Sequence, residues 1–94
     1  MDSSGHVMGT RRGHVMLYAL STCIWCKKTR ALLDRLGVDY HFTYLDLVEG
    51  REQEEAMAEL ERWNPQGSFP TIVIDGTRAV LGFDEARIRQ ALGL

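Results

Sequence analysis

The sequence predicts one α/β domain with a four-stranded mixed sheet flanked by three helices, in the order β-α-β-α-β-β-α. A strand, a helix and a second strand follow one another over residues 15–47, which is the pattern of a right-handed βαβ unit. Asp75-Gly76 separates two short apolar runs and predicts a β-hairpin. Residues 84–92 then have the spacing of a last amphipathic helix, capped by Asp84.

The first strand is the apolar run 15–20, and Ser21 or Thr22 is expected to cap the helix over 23–36. Gly37 is a natural end for that helix. The positions with the spacing of its inward face are Cys26, Thr29, Leu33 and Leu36. The positions expected in solvent are Lys27, Lys28, Arg30 and Asp34.

The second strand is predicted over residues 38–47, which are rich in aromatic and β-branched side chains. A second helix over 51–63 has an apolar stripe and acidic residues near its positive N-terminal end. Asn-Pro-Gln-Gly at 64–67 ends this helix. The hairpin strands are then 71–74 and 78–81.

Composition limits the class of protein. The chain has 94 residues, of which 45% are hydrophobic and 26% charged, and its formal net charge is −2. This is typical of one globular domain and excludes a disordered chain; two cysteines are too few for a disulfide-dense scaffold. The chain lacks the basic surplus of a nucleic-acid binder and the ~20-residue apolar stretch of a membrane helix. We expect a monomer that binds neither nucleic acid nor membrane.

Residues 1–13 are polar and small without apolar periodicity, so we expect a loose leader and a domain over 14–94. Arg11-Arg12 precedes an apolar run of only six residues, 15–20. This is shorter than the ~7–15 residues of a secretion signal, and no small-residue cleavage site follows. The prediction is therefore a cytoplasmic protein.

Cys23-Ile24-Trp25-Cys26 begins a helix directly after a strand. The unpaired N–H groups and partial positive charge of a helix N-terminus stabilise a thiolate. Residues i and i+3 of the first turn lie ~5 Å apart, within the range of a disulfide. We expect Cys23 to be the nucleophile and Cys26 the resolving thiol of a redox-active disulfide. Trp25 is either a contact surface for the partner or a shield for the sulfurs.

Two other uses of the cysteines remain open at this point. A zinc site needs further ligands, but His6 and His14 lie in the leader and His41 in a strand, so no metal site is expected. Two inert buried cysteines are disfavoured by their position at the start of a helix.

Phe69-Pro70 is the second notable motif. An X-Pro bond is cis in only ~5–6% of folded cases, so these residues alone favour trans. The strand–CxxC–helix, Pro70 before a hairpin, and Gly82-Phe83-Asp84 opening a last helix together resemble the glutaredoxin branch of the thioredoxin fold, over about residues 14–94. The resemblance implies a cis Pro70 lying against the cysteines.

The resemblance also implies a binding surface for glutathione. The backbone of Phe69 would pair with the cysteinyl peptide of glutathione or of a protein substrate. The turn formed by Gly82, Phe83 and Asp84 would hold the γ-glutamyl carboxylate, and Ser68 stands where the family usually has threonine.

Three departures from the family pattern concern the electron donor. Cys-Ile-Trp-Cys replaces the usual Cys-Pro-Tyr-Cys, Leu20 stands where the family often has lysine, and Leu81-Gly82 replaces Gly-Gly. Gly-Phe and the missing lysine are closer to glutaredoxin-like proteins of the NrdH type, which thioredoxin reductase reduces. The reductant is therefore either glutathione or a donor of the thioredoxin-reductase type.

The sequence thus predicts a dithiol–disulfide oxidoreductase without a bound cofactor, acting in electron transport and cell redox homeostasis. Its substrates would be protein disulfides or mixed disulfides with glutathione. The alternatives use the same cysteines: an iron–sulfur cluster module that holds its cluster between two subunits, or a metal carrier with Cys23 and Cys26 as soft ligands.

Overall fold

The computed structural model describes residues 2–94 as a mixed five-stranded sheet with three helices. The elements are β1 (Ser4–Val7), β2 (Val15–Ala19), α1 (Ile24–Leu36), β3 (Tyr40–Tyr44), α2 (Gly50–Trp63), β4 (Thr71–Ile74), β5 (Arg78–Leu81) and α3 (Glu85–Ala91). The strand order across the sheet is β1-β3-β2-β4-β5. Strands β2 and β3 are parallel, and the other neighbours are antiparallel. The predicted α/β class is confirmed.

The fifth strand corrects the prediction of four strands and of a loose leader. Residues 4–7 form β1, antiparallel to β3, with His6 opposite His41. This strand has no apolar run, so its pairing rests on backbone hydrogen bonds rather than on a hydrophobic signal. Gly5 permits the close approach, because a Cβ at this position would lie 2.9 Å from the ring of Phe42. The added strand covers what would otherwise be an open edge of β3.

Two apolar clusters lie on opposite faces of the sheet because successive strand residues point to opposite sides. Leu17 and Ala19 of β2 belong to the cluster under α1 and α3. Tyr18 belongs to the other, together with Leu60 of α2. The helices therefore cover both faces of the sheet, and β2 runs between the two clusters towards the cysteines. No helix within residues 2–94 is long and apolar enough to cross a membrane.

The start of α1 differs from the prediction. Cys23, rather than Ser21 or Thr22, is the N-cap residue, and its sulfur accepts a hydrogen bond from the Cys26 N–H at 3.2 Å. The predicted end is confirmed, since Gly37 has the left-handed backbone conformation, with φ of 67°. The Ser21 hydroxyl donates a hydrogen bond to the Asp46 carboxylate instead of capping the helix.

Arg30 was expected in solvent but instead packs against β3. Its guanidinium lies 4.1 Å from the ring centroid of Phe42. It also donates hydrogen bonds to the hydroxyl groups of Tyr40 (3.1 Å) and Tyr44 (2.9 Å). These three aromatic residues alternate along β3 and point to the α1 side, where a planar guanidinium can stack and donate at once. Arg30 therefore joins α1 to β3.

Candidate active site

The two cysteines lie where β2 passes into α1. A tight turn connects the elements, in which the N–H of Cys23 donates to the carbonyl of Leu20 at 3.2 Å. Cys23 is half-buried, whereas Cys26 has only 1% of its surface exposed. Both thiols are free. The first turn of α1 thus presents one accessible sulfur and buries the other behind it.

Burial makes the Cys26 thiol a much weaker acid than an ordinary cysteine. Desolvation is the largest cause that raises the pKa of Cys26 to about 12, and a hydrogen bond with Cys23 adds to it. The negative charges of Cys23 and Asp46 act in the same direction, and a hydrogen bond from the backbone of Leu20 opposes them. Cys26 is therefore a protonated thiol at neutral pH.

Asp46 holds the loop that precedes the cysteines. Its carboxylate accepts a hydrogen bond from the Ser21 N–H at 2.9 Å and a second, short one from the Ser21 hydroxyl. The hydroxyl is the main reason why the pKa of Asp46 lies below its usual value. A signal for this contact was present in the sequence, because the carboxyl ends of neighbouring parallel strands meet at one edge of a sheet. Asp46 follows β3 there, as Ser21 follows β2.

A shallow groove of about 210 Å³ lies beside the thiols, formed by residues from three segments of the chain. Its lining residues are Trp25, Phe69, Pro70, Gly82 and Phe83. All five were predicted from the sequence as binding residues, and the structure brings them together in one groove. The Phe69-Pro70 peptide bond is cis, as the family resemblance implied and contrary to the general preference of X-Pro bonds.

The groove has an aromatic wall. The rings of Trp25 and Phe83 stack with centroids 5.9 Å apart, and the Lys28 ammonium lies 5.0 Å from the Trp25 ring centroid. Trp25 remains 52% exposed. The Gly82 N–H donates to the Pro70 carbonyl at 2.8 Å, and Gly82 has φ of 79°. The left-handed conformation of Gly82 permits this turn.

Ser68 and Asp84, the other two predicted binding residues, do not line the groove. The Ser68 hydroxyl accepts a hydrogen bond from the Asn64 side chain at 2.8 Å. The Asp84 carboxylate caps α3 by accepting from the Arg87 N–H at 3.1 Å. Both side chains thus hold the loops on either side of the groove.

Asn64, only 2% exposed, supports the groove and was missed by sequence reasoning. Its amide nitrogen lies within hydrogen-bond distance of the Ser68 carbonyl (3.2 Å), the Ser68 hydroxyl (2.8 Å) and the Thr71 hydroxyl (3.1 Å). The Thr71 hydroxyl in turn donates to the Ser68 carbonyl at 3.0 Å. This network fixes the segment that carries Phe69 and Pro70. In the sequence Asn64 looked only like the end of a helix.

Comparison with known proteins identifies the family. Residues 15–79 match the family model described as Glutaredoxin. An uncharacterised glutaredoxin-like 8.6 kDa protein of the Clostridium pasteurianum rubredoxin operon is 32% identical over 74 residues, covering 79% of this chain and 91% of the relative.

Two crystal structures are similar to this chain over most of their length. The glutaredoxin of Methanosarcina mazei Go1 has 52% identity and a TM-score of 0.95, with 99% of this chain and 90% of that chain covered. Methanoredoxin of Methanosarcina acetivorans has 46% identity and a TM-score of 0.88, with 92% and 90% covered. With its thioredoxin fold and paired thiols, this chain belongs to the glutaredoxin family of thiol–disulfide oxidoreductases.

Proposed function

We propose that this protein reduces disulfides by a two-thiol mechanism in which Cys23 attacks and Cys26 resolves. The supporting observation is the unequal environment of the two sulfurs. Cys23 is half-buried at a helix N-terminus and accepts the Cys26 N–H, an arrangement that stabilises a thiolate. Cys26 is buried and protonated, so it is protected from solvent until a mixed disulfide forms beside it.

The exchange proceeds in two steps. The Cys23 thiolate attacks one sulfur of the target; the Cys23–target S–S bond forms, the target disulfide breaks, and the first target sulfur leaves as a thiolate. Cys26 then attacks the sulfur of Cys23, and the Cys26 proton passes to the second target sulfur as that sulfur leaves. This forms the Cys23–Cys26 disulfide and releases the second target thiol. The target gains two electrons and the enzyme loses two.

The groove suits an extended segment that carries the disulfide. Phe69, Pro70 and the stacked Trp25–Phe83 pair line the groove, so an extended peptide would lie against apolar surfaces. We propose that the Phe69 backbone forms hydrogen bonds with this segment, as the resemblance to glutaredoxins implies. The backbone N–H groups of Phe83 and Asp84, at the start of α3, would donate hydrogen bonds to a carboxylate of the substrate.

The thiols must be reduced again after each cycle. The proposed donor is glutathione or a protein of the thioredoxin-reductase type, with no organic cofactor bound to the domain itself. Reduced thiols persist in reducing compartments, so we propose that the protein works as a monomer in the cytoplasm, where its electron donor can regenerate the thiols. Its partners would be proteins with accessible disulfides. We propose no binding to nucleic acid or to a membrane.

Selective alkylation tests the assignment of the two sulfurs. Iodoacetamide at pH 6–8 is expected to label Cys23 once per chain and to leave Cys26 unlabelled, because only thiolates react. Burial raises the pKa of Cys26 to about 12, so its thiol stays protonated across this pH range. Labelling of Cys26 should appear only as the pH rises towards that pKa. Peptide mass spectrometry locates the label, and Cys26→Ser is the matched control. Equal labelling of both cysteines at pH 6 would contradict the assignment.

A further inference from the structure

We propose that His6, Asp39 and His41 form a binding site for one divalent transition-metal ion such as Zn²⁺, separate from the two cysteines. One ligand atom from each of the three side chains lies within 4.8 Å of the others. Two imidazole nitrogens and a carboxylate oxygen form a common donor set for zinc.

The strand pairing brings these residues together. His6 of β1 is directly opposite His41 of β3. Opposed residues of antiparallel strands share a face of the sheet, with Cβ atoms ~4.5–5.5 Å apart. Asp39 precedes His41 by two residues, so it points to the same face. The separation of His6 from His41 in the sequence hid this site, which exists only because residues 4–7 form a strand.

Existing hydrogen bonds orient the ligands. One carboxylate oxygen of Asp39 lies 2.7 Å from Nε2 of His6, and the other accepts the Gly9 N–H at 3.2 Å. An ion that binds Nε2 of His6 and the Asp39 carboxylate takes the place of the proton that these two groups share. The His6 side chain is 44% exposed and that of Asp39 14%, so an ion can enter from solvent while the carboxylate stays in place.

A third imidazole extends the cluster. The His6 and His41 rings stack with centroids 4.2 Å apart and planes 13° apart, and His14 stacks on His41 at 4.9 Å and 22°. His41 thus contacts both of the other imidazole rings.

The donor set favours a borderline cation. Imidazole ligands suit Zn²⁺, Cu²⁺ and Ni²⁺, whereas Mg²⁺ and Ca²⁺ prefer sites made of oxygen alone. A Zn–N distance of 2.0–2.1 Å in tetrahedral geometry brings ligand nitrogens to about 3.3 Å from one another. The stacked rings of His6 and His41 must therefore rotate when the ion binds.

The site is remote from the thiols. His41 neighbours Met16 near the start of β2, whereas the cysteines follow Ala19 at its end. Met16 and Ala19 are three strand steps apart, about 10 Å along the sheet, and the cysteines lie beyond Ala19. A bound ion would thus join β1 to β3 and leave Cys23 and Cys26 free for redox chemistry.

A zinc titration tests the proposal. The full chain carrying Cys23→Ser and Cys26→Ser removes the thiol ligands, and Zn²⁺ is added in competition with a chromophoric chelator. One ion per chain is expected to bind. His41→Gln and Asp39→Asn are each expected to weaken binding at least about tenfold, in the range seen for loss of a metal-site partner. Glu52→Gln, on the same surface but outside the ligand set, is the matched control and should bind as the parent does.

A second readout identifies the ligands directly. The ring-proton NMR signals of His6 and His41 should shift or broaden on addition of Zn²⁺. His6→Val, which keeps a strand-forming residue in β1, should abolish the change at His41. Failure of the parent chain to compete with the chelator would overturn the proposal. So would variants at His6 and His41 that bind zinc as tightly as the parent.

Discussion

Cys23→Ser is expected to reduce the rate of disulfide reduction to the uncatalysed background. Serine keeps the size and capping geometry of the side chain, but its hydroxyl does not form a thiolate or a mixed disulfide at neutral pH. The buried Cys26 thiol cannot replace it, because its pKa of about 12 leaves almost no thiolate and its surface is 1% exposed. Insulin reduction with dithiothreitol as the electron donor measures the effect.

The control for this experiment is the fold of the variant. Cys23 is the N-cap of α1, and its sulfur accepts the Cys26 N–H. Since serine is a favourable N-cap residue, we expect the thermal unfolding midpoint to stay close to that of the parent. A well-folded Cys23→Ser protein with more than about one tenth of the parent rate would show that another group attacks the substrate.

Asn64→Ala is expected to lower the free energy of unfolding by about 1–3 kcal/mol, the usual cost of leaving buried polar groups without a partner. The variant removes the donor shared by the Ser68 carbonyl, the Ser68 hydroxyl and the Thr71 hydroxyl. Because this network fixes the segment with Phe69 and Pro70, the groove should also lose definition. Urea denaturation measures stability, and an increase in KM for a peptide disulfide reports on the groove.

Gln66→Ala is the matched control for Asn64. Gln66 lies in the same loop and is exposed, so its truncation should leave the urea midpoint and KM close to the parent values. If the Asn64 and Gln66 variants unfolded at the same urea concentration, the network would not have the structural role assigned to it.

The features that the sequence predicted correctly have local causes. Asp75 has φ of 56° and Gly76 of 61°, which is the backbone that an Asp-Gly hairpin needs. Gly37 ends α1 and Asp84 caps α3 for equally local reasons. The position of the cysteine pair at a helix start also follows from the residues around it. Such features depend on neighbours a few residues away.

The features that the sequence missed depend on partners far along the chain. β1 has no apolar pattern, and only the open edge of β3 gives it a place to pair. Arg30 looks like a solvent residue until the aromatic side chains of β3 lie beneath it. His6 and His41 become neighbours only through the register of two antiparallel strands. No window of the sequence contains these contacts.

The candidate site shows the same division. Its sulfurs and the groove residues were found from motifs and from the family resemblance, and the structure places the groove residues together. The residues that hold these parts in position, Asn64 and Asp46, act through hydrogen bonds to loops and carry no motif of their own.

The intact mass of the Cys26→Ser variant, measured after incubation with oxidised glutathione and separately with insulin, tests the central assignment most directly. With no resolving thiol, Cys23 should retain half of the attacked disulfide, so the mass should increase by one adduct per chain with at least one of these substrates. The Cys23→Ser variant should gain none. No adduct on Cys26→Ser with either substrate, or equal adducts on the two variants, would contradict the assignment of Cys23 as the attacking thiol.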